Sequence, residues 1–117
     1  MSAPARLTLY HFRGCTYCAR VQRALQNLEV EIDQRDIHQD PAARDALAQA
    51  MGRTTVPVLH IAPEGDEPRW LPESADIVRY LYAERGGGRR PPWWLFIGPG
   101  HLVAAAALAW WLISRWL

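Results

Sequence analysis

The sequence predicts an α/β domain with the element order βαβαββα, followed by an apolar C-terminal segment. Segments in which apolar and polar residues alternate, as in strands, are followed twice by segments in which apolar residues recur at helical spacing. All 12 acidic residues lie at or before Glu84, whereas the last quarter of the 117 residues is strongly apolar. A composition of 50% hydrophobic and 21% charged residues is that of a folded chain. No basic surface of the kind that nucleic acid requires is visible, which argues against a nucleic-acid partner.

The first part of the chain predicts a strand, a helix and a second strand. "RLTLYHF" alternates apolar and polar residues and stops at Gly14, which indicates a strand that ends in a turn. The next apolar residues recur at helical spacing: Cys18, Val21, Leu25 and Leu28. "VEIDQRDI" alternates again, with Val30 and Ile32 facing one way. Two strands joined through a helix form a parallel pair with a right-handed crossover.

The following part predicts a helix, two antiparallel strands and a last helix. Asp40 before Pro41 is typical of a helix start and Gly52 of a helix end, so we expect a helix over residues 41–51. "TVPVLHI" indicates a strand that begins with a proline, and "RWL" a short antiparallel partner. "PESADIVRYLYAER" returns to helical spacing and ends at "GGG". The predicted domain covers residues 5–85.

Residues 86–92 form a predicted linker, and residues 93–117 a predicted single transmembrane helix. His101 and Arg115 are the only ionisable residues of that apolar segment. At about 1.5 Å per residue it is long enough to cross a hydrocarbon core of about 30 Å. A hydrophobic hairpin folded onto the domain is the alternative, because "GPG" at residues 98–100 could break the helix.

The charges around this segment predict its orientation. Arg85, Arg89 and Arg90 precede it, whereas Arg115 alone follows it. Positively charged residues favour the cytoplasmic side, so we expect a single-pass membrane protein with the N-terminal domain in the cytoplasm. The N-terminus shows no basic region followed by an apolar run, and hence no secretory signal.

Both cysteines, Cys15 and Cys18, lie at the predicted strand-to-helix turn. A structural disulfide is unfavourable in a reducing cytosol. A zinc site would have to recruit two histidines, from His11, His38 and His60, without a second cysteine pair. A redox role has a physical basis, because the unpaired N–H groups of a helix start stabilise a thiolate. Cys15 is then the nucleophile, and Cys18, one turn further on, resolves the disulfide that Cys15 forms.

Three motifs in this order resemble a glutaredoxin: "CTYC" after a strand, "RTTVP" some forty residues later, and then "ESADIVRYL". The resemblance covers about residues 5 to 85 and implies the thioredoxin-like fold. It also implies a glutathione-dependent thiol-disulfide oxidoreductase that reduces glutathionylated proteins or protein disulfides. Glutathione is then a co-substrate, and no tightly bound cofactor is needed.

The resemblance further implies the residues that hold glutathione. In the "TVP" element, Pro57 is expected to be cis, and Val56 to offer its backbone to the peptide. At the start of the last helix, backbone N–H groups hold the γ-glutamyl carboxylate, although a serine there can also serve only as a helix cap. Phe12 stands where a lysine is common in this family, and Arg13 or Arg53 could supply the missing positive charge. The expected glutathione-binding set is Arg13, Tyr17, Thr55, Val56, Pro57, Glu73, Ser74 and Asp76.

Two alternatives belong to other functional classes. Thr16 stands where many glutaredoxins have proline, and some relatives with a small residue there carry a [2Fe–2S] cluster between two chains and two glutathiones. Cys15 would then be an iron ligand and the protein a homodimer, with no other metal site expected. The second alternative is a non-catalytic membrane adaptor. "PES" also resembles the glutathione-holding turn of glutathione transferases, although this chain continues into the apolar segment instead of a large helical domain.

Overall fold

A computed structural model describes residues 4–96 and 110–114 of the chain. The strands and helices within residues 4–96 follow the predicted order. They are β1 (Arg6–His11), α1 (Thr16–Leu28), β2 (Asp33–Asp36), α2 (Pro41–Met51), β3 (Val58–Ala62), β4 (Arg69–Pro72), α3 (Ser74–Arg85) and a 3-10 helix (Trp93–Phe96).

The four strands form one mixed sheet in the order β2-β1-β3-β4. β1 and β2 are parallel, as predicted, with Thr8 opposite Asp33. β3 runs antiparallel to β1, and β4 antiparallel to β3. Because parallel strands end at the same edge of a sheet, the turn after β1 and the loop after β2 lie side by side. That edge carries the two cysteines.

The core divides into two clusters on opposite faces of the sheet. Leu9 and Leu59 belong to a cluster built with α1 and α3, whereas Tyr10 and Val58 belong to a cluster built with α2. Adjacent residues of a strand point to opposite faces, which explains the division. The inward residues predicted for α1 and α3 are all buried: Cys18, Val21, Leu25 and Leu28 on α1, and Ile77, Val78 and Leu81 on α3.

Two predicted strand starts are wrong. β2 begins at Asp33 instead of Val30, because Glu29 ends α1 in the left-handed region, at φ 55°, and its N–H returns to the helix. Residues 30–32 then lead from helix to sheet, with Val30 packed partly buried against the core. β3 begins at Val58 instead of at the proline, since Pro57 has no N–H to donate to a neighbouring strand.

The boundaries of α2 agree with the prediction. The Asp40 carboxylate accepts a hydrogen bond from the N–H of Ala43, and Pro41 opens the helix. Gly52 ends it in the left-handed region, at φ 71°, which glycine adopts without strain. The sequence signals at both ends of this helix are therefore the groups that cap it.

The 3-10 helix packs against the domain. Leu95 is 2% exposed and belongs to the cluster built with α1 and α3, with Phe96 packed beside it. The guanidinium of Arg79 lies 4.9 Å from the centre of the Phe96 ring. The first residues of the predicted transmembrane segment are thus in contact with the domain.

Most of that predicted segment, residues 97–109 and 115–117, lies outside the described residues. Residues 110–114 are helical and exposed. Within the described residues, no helix has both the length and the apolar character to cross a membrane. The domain boundaries 5–85, 86–92 and 93–117 stay predictions.

Candidate active site at the start of the first helix

A tight turn joins β1 to α1 and presents Cys15. Gly14 has φ 91°, a conformation that strains any residue with a side chain, and the N–H of Cys15 donates to the Phe12 carbonyl at 3.3 Å. Cys15 is the N-cap of α1, in extended conformation, and Thr16 is the first helical residue. The predicted strand-to-helix turn is confirmed.

The two thiols face different surroundings. Both cysteines are free; Cys15 is half-buried and Cys18 is 2% exposed. The backbone N–H of Cys18 donates to Cys15 Sγ across 3.2 Å. A donor aimed at sulfur stabilises negative charge on it, as a helix start does generally. Cys15 is therefore the reachable thiol and Cys18 the shielded one.

Cys18 is held in the neutral form. Burial, followed by the hydrogen bond with Cys15, raises the pKa of the Cys18 thiol from 9.0 to about 12. Burial acts in this direction because it disfavours the charged form. At neutral pH, Cys18 is thus a protonated thiol one turn away from Cys15.

The Val56–Pro57 peptide bond is cis, as expected. Val56 is 8% exposed and lies in the same apolar cluster as Cys18, with Cys15 packed against that cluster. Pro57 is buried as well, whereas Thr55 is exposed. The fold therefore brings the end of this element to the cysteines, although about forty residues separate them in sequence.

The start of α3 has an unusual backbone. Glu73 is the N-cap, with φ 73° and no side-chain cap, so Ser74 is the first helical residue instead of the cap. A non-glycine residue in this region costs on the order of 1–3 kcal/mol and is typical of functional sites. Ser74 is buried at 6% exposure, and Asp76 accepts a hydrogen bond from Arg79 at 3.2 Å in an exposed ion pair.

Arg20, which was not among the predicted site residues, connects these parts of the site. Its Nη1 donates to Ser74 Oγ at 3.0 Å and its Nη2 to the Phe96 carbonyl at 3.4 Å. Its guanidinium also lies 5.9 Å from the centre of the Tyr17 ring, and Tyr17 is 56% exposed. Within the described residues no carboxylate pairs with Arg20. The spacing of Tyr17 and Arg20, three residues apart at a helix start, is the signal that could have revealed it.

Two of the three histidines proposed as zinc ligands, His38 and His60, pack against aromatic rings. The His38 ring stacks on the Phe12 ring with 4.4 Å between the ring centres, and the centres of the His60 and Trp70 rings lie 4.5 Å apart. Burial lowers the pKa of His60. In the described part of the chain, no group of three or more His, Cys, Asp or Glu side chains is arranged to hold a metal ion.

The comparisons with known proteins agree with this geometry. A family model described as glutaredoxin matches residues 7–64, a range that includes both cysteines and Pro57. No curated protein matches the chain.

The chain is similar in structure to a maleylacetoacetate isomerase and to glutathione transferases. A maleylacetoacetate isomerase from Anaeromyxobacter dehalogenans, with glutathione bound in its active site, has a TM-score of 0.57 and 21% identity over 80% of this chain and 44% of that chain. Glutathione transferase Omega 2S from Trametes versicolor has a TM-score of 0.62 and 18% identity, and the match covers 90% of this chain and 46% of that chain. A trimeric glutathione transferase from Leishmania has a TM-score of 0.56 and 26% identity, and the match covers 69% of this chain and 17% of that chain. This chain spans less than half the length of each. The chain has a mixed α/β thioredoxin-like fold, with a match to the glutaredoxin family model over residues 7–64 and structural neighbours among the glutathione transferases.

Proposed function

We propose that this protein is a membrane-anchored, glutathione-dependent thiol-disulfide oxidoreductase. One observation carries the proposal: Cys15 is a free, reachable thiol at a helix start, and the Cys18 N–H donates to its sulfur at 3.2 Å. A thiolate is the form that attacks disulfides. The glutaredoxin match and the glutathione-related neighbours support this chemistry.

The reaction with a glutathionylated protein has two exchanges. The Cys15 thiolate attacks the glutathione sulfur, a bond forms between these two sulfurs, and the protein thiolate leaves with the electron pair and takes a proton from water. A second glutathione, as its thiolate, then attacks the glutathione sulfur held on Cys15. Oxidised glutathione leaves and the Cys15 thiolate is restored. The mixed disulfide of the substrate protein is thereby reduced to a thiol. The glutathionyl group of the substrate and the second glutathione leave together as oxidised glutathione.

Cys18 provides a second route, for protein disulfides. After Cys15 has formed a mixed disulfide with one substrate sulfur, Cys18 loses its proton and attacks Cys15 Sγ, which releases that substrate thiolate. Two glutathione molecules then reduce the Cys15–Cys18 disulfide. Because burial raises the pKa of the Cys18 thiol, few Cys18 thiolates exist at neutral pH and the one-cysteine route is favoured for glutathionylated substrates.

Glutathione is proposed to lie between the cis-proline element and the start of α3. Val56 carries a backbone that an extended tripeptide can pair with, and the first N–H groups of α3 suit a carboxylate. Ser74 and Arg20 stand at that helix start, and the exposed Tyr17 flanks the same region. Asp76 is available for the amino group, since its ion pair with Arg79 is exposed and weak.

The membrane anchor is proposed from the composition of the C-terminal segment. From residue 97 onward the sequence contains 21 residues with His101 and Arg115 as the only ionisable ones. In helical form they would span about 31 Å, which is close to the thickness of about 30 Å of a membrane's hydrocarbon core. We propose that this segment crosses the membrane and that the thiol site faces the cytoplasm.

Two experiments test the two halves. Turnover of a small glutathione mixed disulfide should be lost in Cys15→Ser and kept in Cys18→Ser; full activity without Cys15 would end the enzymatic proposal. For the anchor, the full chain should resist carbonate extraction from membranes, whereas a chain with Ala105→Arg and Leu108→Arg should be released. Equal extraction of both chains would contradict the anchor and leave the chemistry standing.

A further inference from the structure

A groove with several polar and charged lining residues lies beside Cys15, between α1 and the loop that follows β2. It encloses about 910 Å³. Apart from Cys15, its lining includes Gln22, Arg23 and Gln26 from α1, and Gln34 and Gln39 from the opposite wall. β2, which forms part of that wall, is the edge strand of the described sheet. The groove is therefore open to solvent along its length and ends at the nucleophile.

The groove is separate from the expected glutathione surface. Of the residues expected to hold glutathione, Arg13 alone lines it, and the Val56, Ser74 and Asp76 side of the site does not. Cys15 thus lies where two surfaces meet. A glutathionylated protein also has two halves, joined at the disulfide that Cys15 attacks. With glutathione on one surface, the polypeptide half has the groove available to it.

The dimensions and the polar groups of the groove suit an extended chain. From Cys15 to Gln26 the helix rises by about 16 Å, the length of about five residues of extended polypeptide. Gln22 and Gln34 bridge the two walls through paired amide hydrogen bonds of 2.6 and 3.1 Å. Each amide retains donor and acceptor capacity, so this pair can bind backbone N–H and C=O groups of a peptide.

The uncommitted charge near Cys15 is positive. The side chains of Arg13 and Arg23 are exposed and form no hydrogen bond or ion pair with other described residues. The acids of the same groove are engaged: Asp36 accepts from the N–H groups of Arg13 and His38, and Asp40 caps α2 and pairs with Arg35. Charge complementarity therefore favours an acidic occupant.

The charge reverses further along α1. Beyond the paired glutamines, the neighbouring depression is lined by Glu29 and Glu31. An acidic chain would be repelled there, so the attraction is limited to the stretch of the groove between Cys15 and Gln26. This limit sets the length of the acidic segment that the groove can favour.

We propose that this groove binds the polypeptide that flanks a glutathionylated cysteine, and that it selects acidic residues within about five positions of that cysteine. The inference rests on the proposed function, since it names the substrate class of the same nucleophile. Arg13 and Arg23 supply the attraction, and Gln22, Gln26 and Gln34 supply hydrogen bonds to the peptide backbone.

The test compares three substrates on the full-length protein in detergent. Two are glutathionylated peptides of equal length whose flanking residues are acidic in one and basic in the other; the third is the cysteine–glutathione mixed disulfide. We expect kcat/KM to be about fivefold or more higher for the acidic than for the basic peptide, a preference that weakens with added salt. Moving the acidic block beyond five positions should remove the preference.

The matched variants are Arg23→Glu, in the groove, and Arg90→Glu, an exposed arginine outside it. Each rate is divided by the rate on the small disulfide, so that a general loss of activity cancels. Arg23→Glu should lower or invert the acidic preference, and Arg90→Glu should keep it. If kcat/KM is equal for both peptides while the small disulfide is still turned over, the proposal that the groove selects acidic peptides is wrong and the proposed function stands. No turnover of the small disulfide would overturn both.

Discussion

Arg20 donates a hydrogen bond of 3.0 Å to Ser74 Oγ, and so joins α1 to the first residue of α3 across 54 positions of the chain. The same guanidinium reaches the Phe96 carbonyl at 3.4 Å. One side chain therefore links the helix that presents Cys15, the helix start proposed to bind glutathione, and the segment that leads to the C-terminus. A partly buried cation at this point orients the serine and adds positive charge beside it.

Removing the Arg20 guanidinium should weaken glutathione binding more than it slows the chemistry. In Arg20→Gln the hydrogen bond to Ser74 and the charge are lost, an interaction worth about 1.5–3 kcal/mol. We expect KM for glutathione to rise about tenfold or more with a smaller change in kcat, and Arg20→Lys to restore part of it. Steady-state kinetics at varied glutathione measure this. Arg90→Gln is the matched control, and an unchanged KM in Arg20→Gln would show that Arg20 has no part in binding.

The two thiols should differ sharply in alkylation. Cys15 is reachable, whereas Cys18 is 2% exposed with its pKa raised to about 12, so at neutral pH we expect an alkylating reagent to modify Cys15 alone in the folded protein. In denaturant both should react, since the unfolded chain exposes both thiols. Peptide mapping by mass spectrometry after timed labelling distinguishes the sites. Equal labelling of both cysteines in the folded state would contradict this difference in environment.

The burial of Cys18 should also make stability depend on pH. The pKa of the Cys18 thiol is raised on folding. The contribution of the neutral buried thiol to the free energy of unfolding is therefore fully present below pH 9.0 and is lost as the pH rises towards about 12. We expect the free energy of unfolding of the wild type to fall over this window by more than that of Cys18→Ala. Tyrosines titrate in both proteins, and the comparison removes their part. Parallel pH curves for the two proteins would rule out the linkage.

Leu95 should contribute to the stability of the domain despite its position in the apolar segment. It is 2% exposed within the core cluster, and truncation of a buried leucine to alanine costs about 2–5 kcal/mol. Leu95→Ala should therefore lower the midpoint of urea unfolding of the domain clearly. Trp93 is 74% exposed, and Trp93→Ala should change that midpoint little. Similar midpoints for the two variants would indicate that Leu95 is not part of the core.

Elements with explicit end signals were predictable from the sequence. For α2, Asp40, Pro41 and Gly52 cap or open the helix in the structure just as they indicate it in the sequence. β2 was predicted three residues too long at its start, because an apolar alternation over Val30 and Ile32 does not distinguish strand from a linker packed on the core. What a pattern cannot supply is the path of the backbone after a left-handed helix end such as Glu29.

The candidate site was predictable in its chemistry and not in its connections. Cys15 and Cys18 follow from their spacing, and Pro57 from its resemblance to a known element. Arg20 was not predicted, because its spacing from Tyr17 indicates only a shared helix face and does not show that its side chain reaches Ser74. Likewise, composition alone does not separate an apolar residue that faces lipid from one, such as Leu95, that packs against the domain.

The central claim is that Cys15 accepts the glutathionyl group from a substrate, and trapping that intermediate tests it most directly. The Cys18→Ser variant is mixed with a glutathionylated peptide in the absence of free glutathione, quenched with acid and weighed intact by mass spectrometry. We expect one glutathionyl group on the protein, mapped to Cys15, with release of an equal amount of reduced peptide. A protein that stays at its starting mass while the peptide remains glutathionylated would contradict the account.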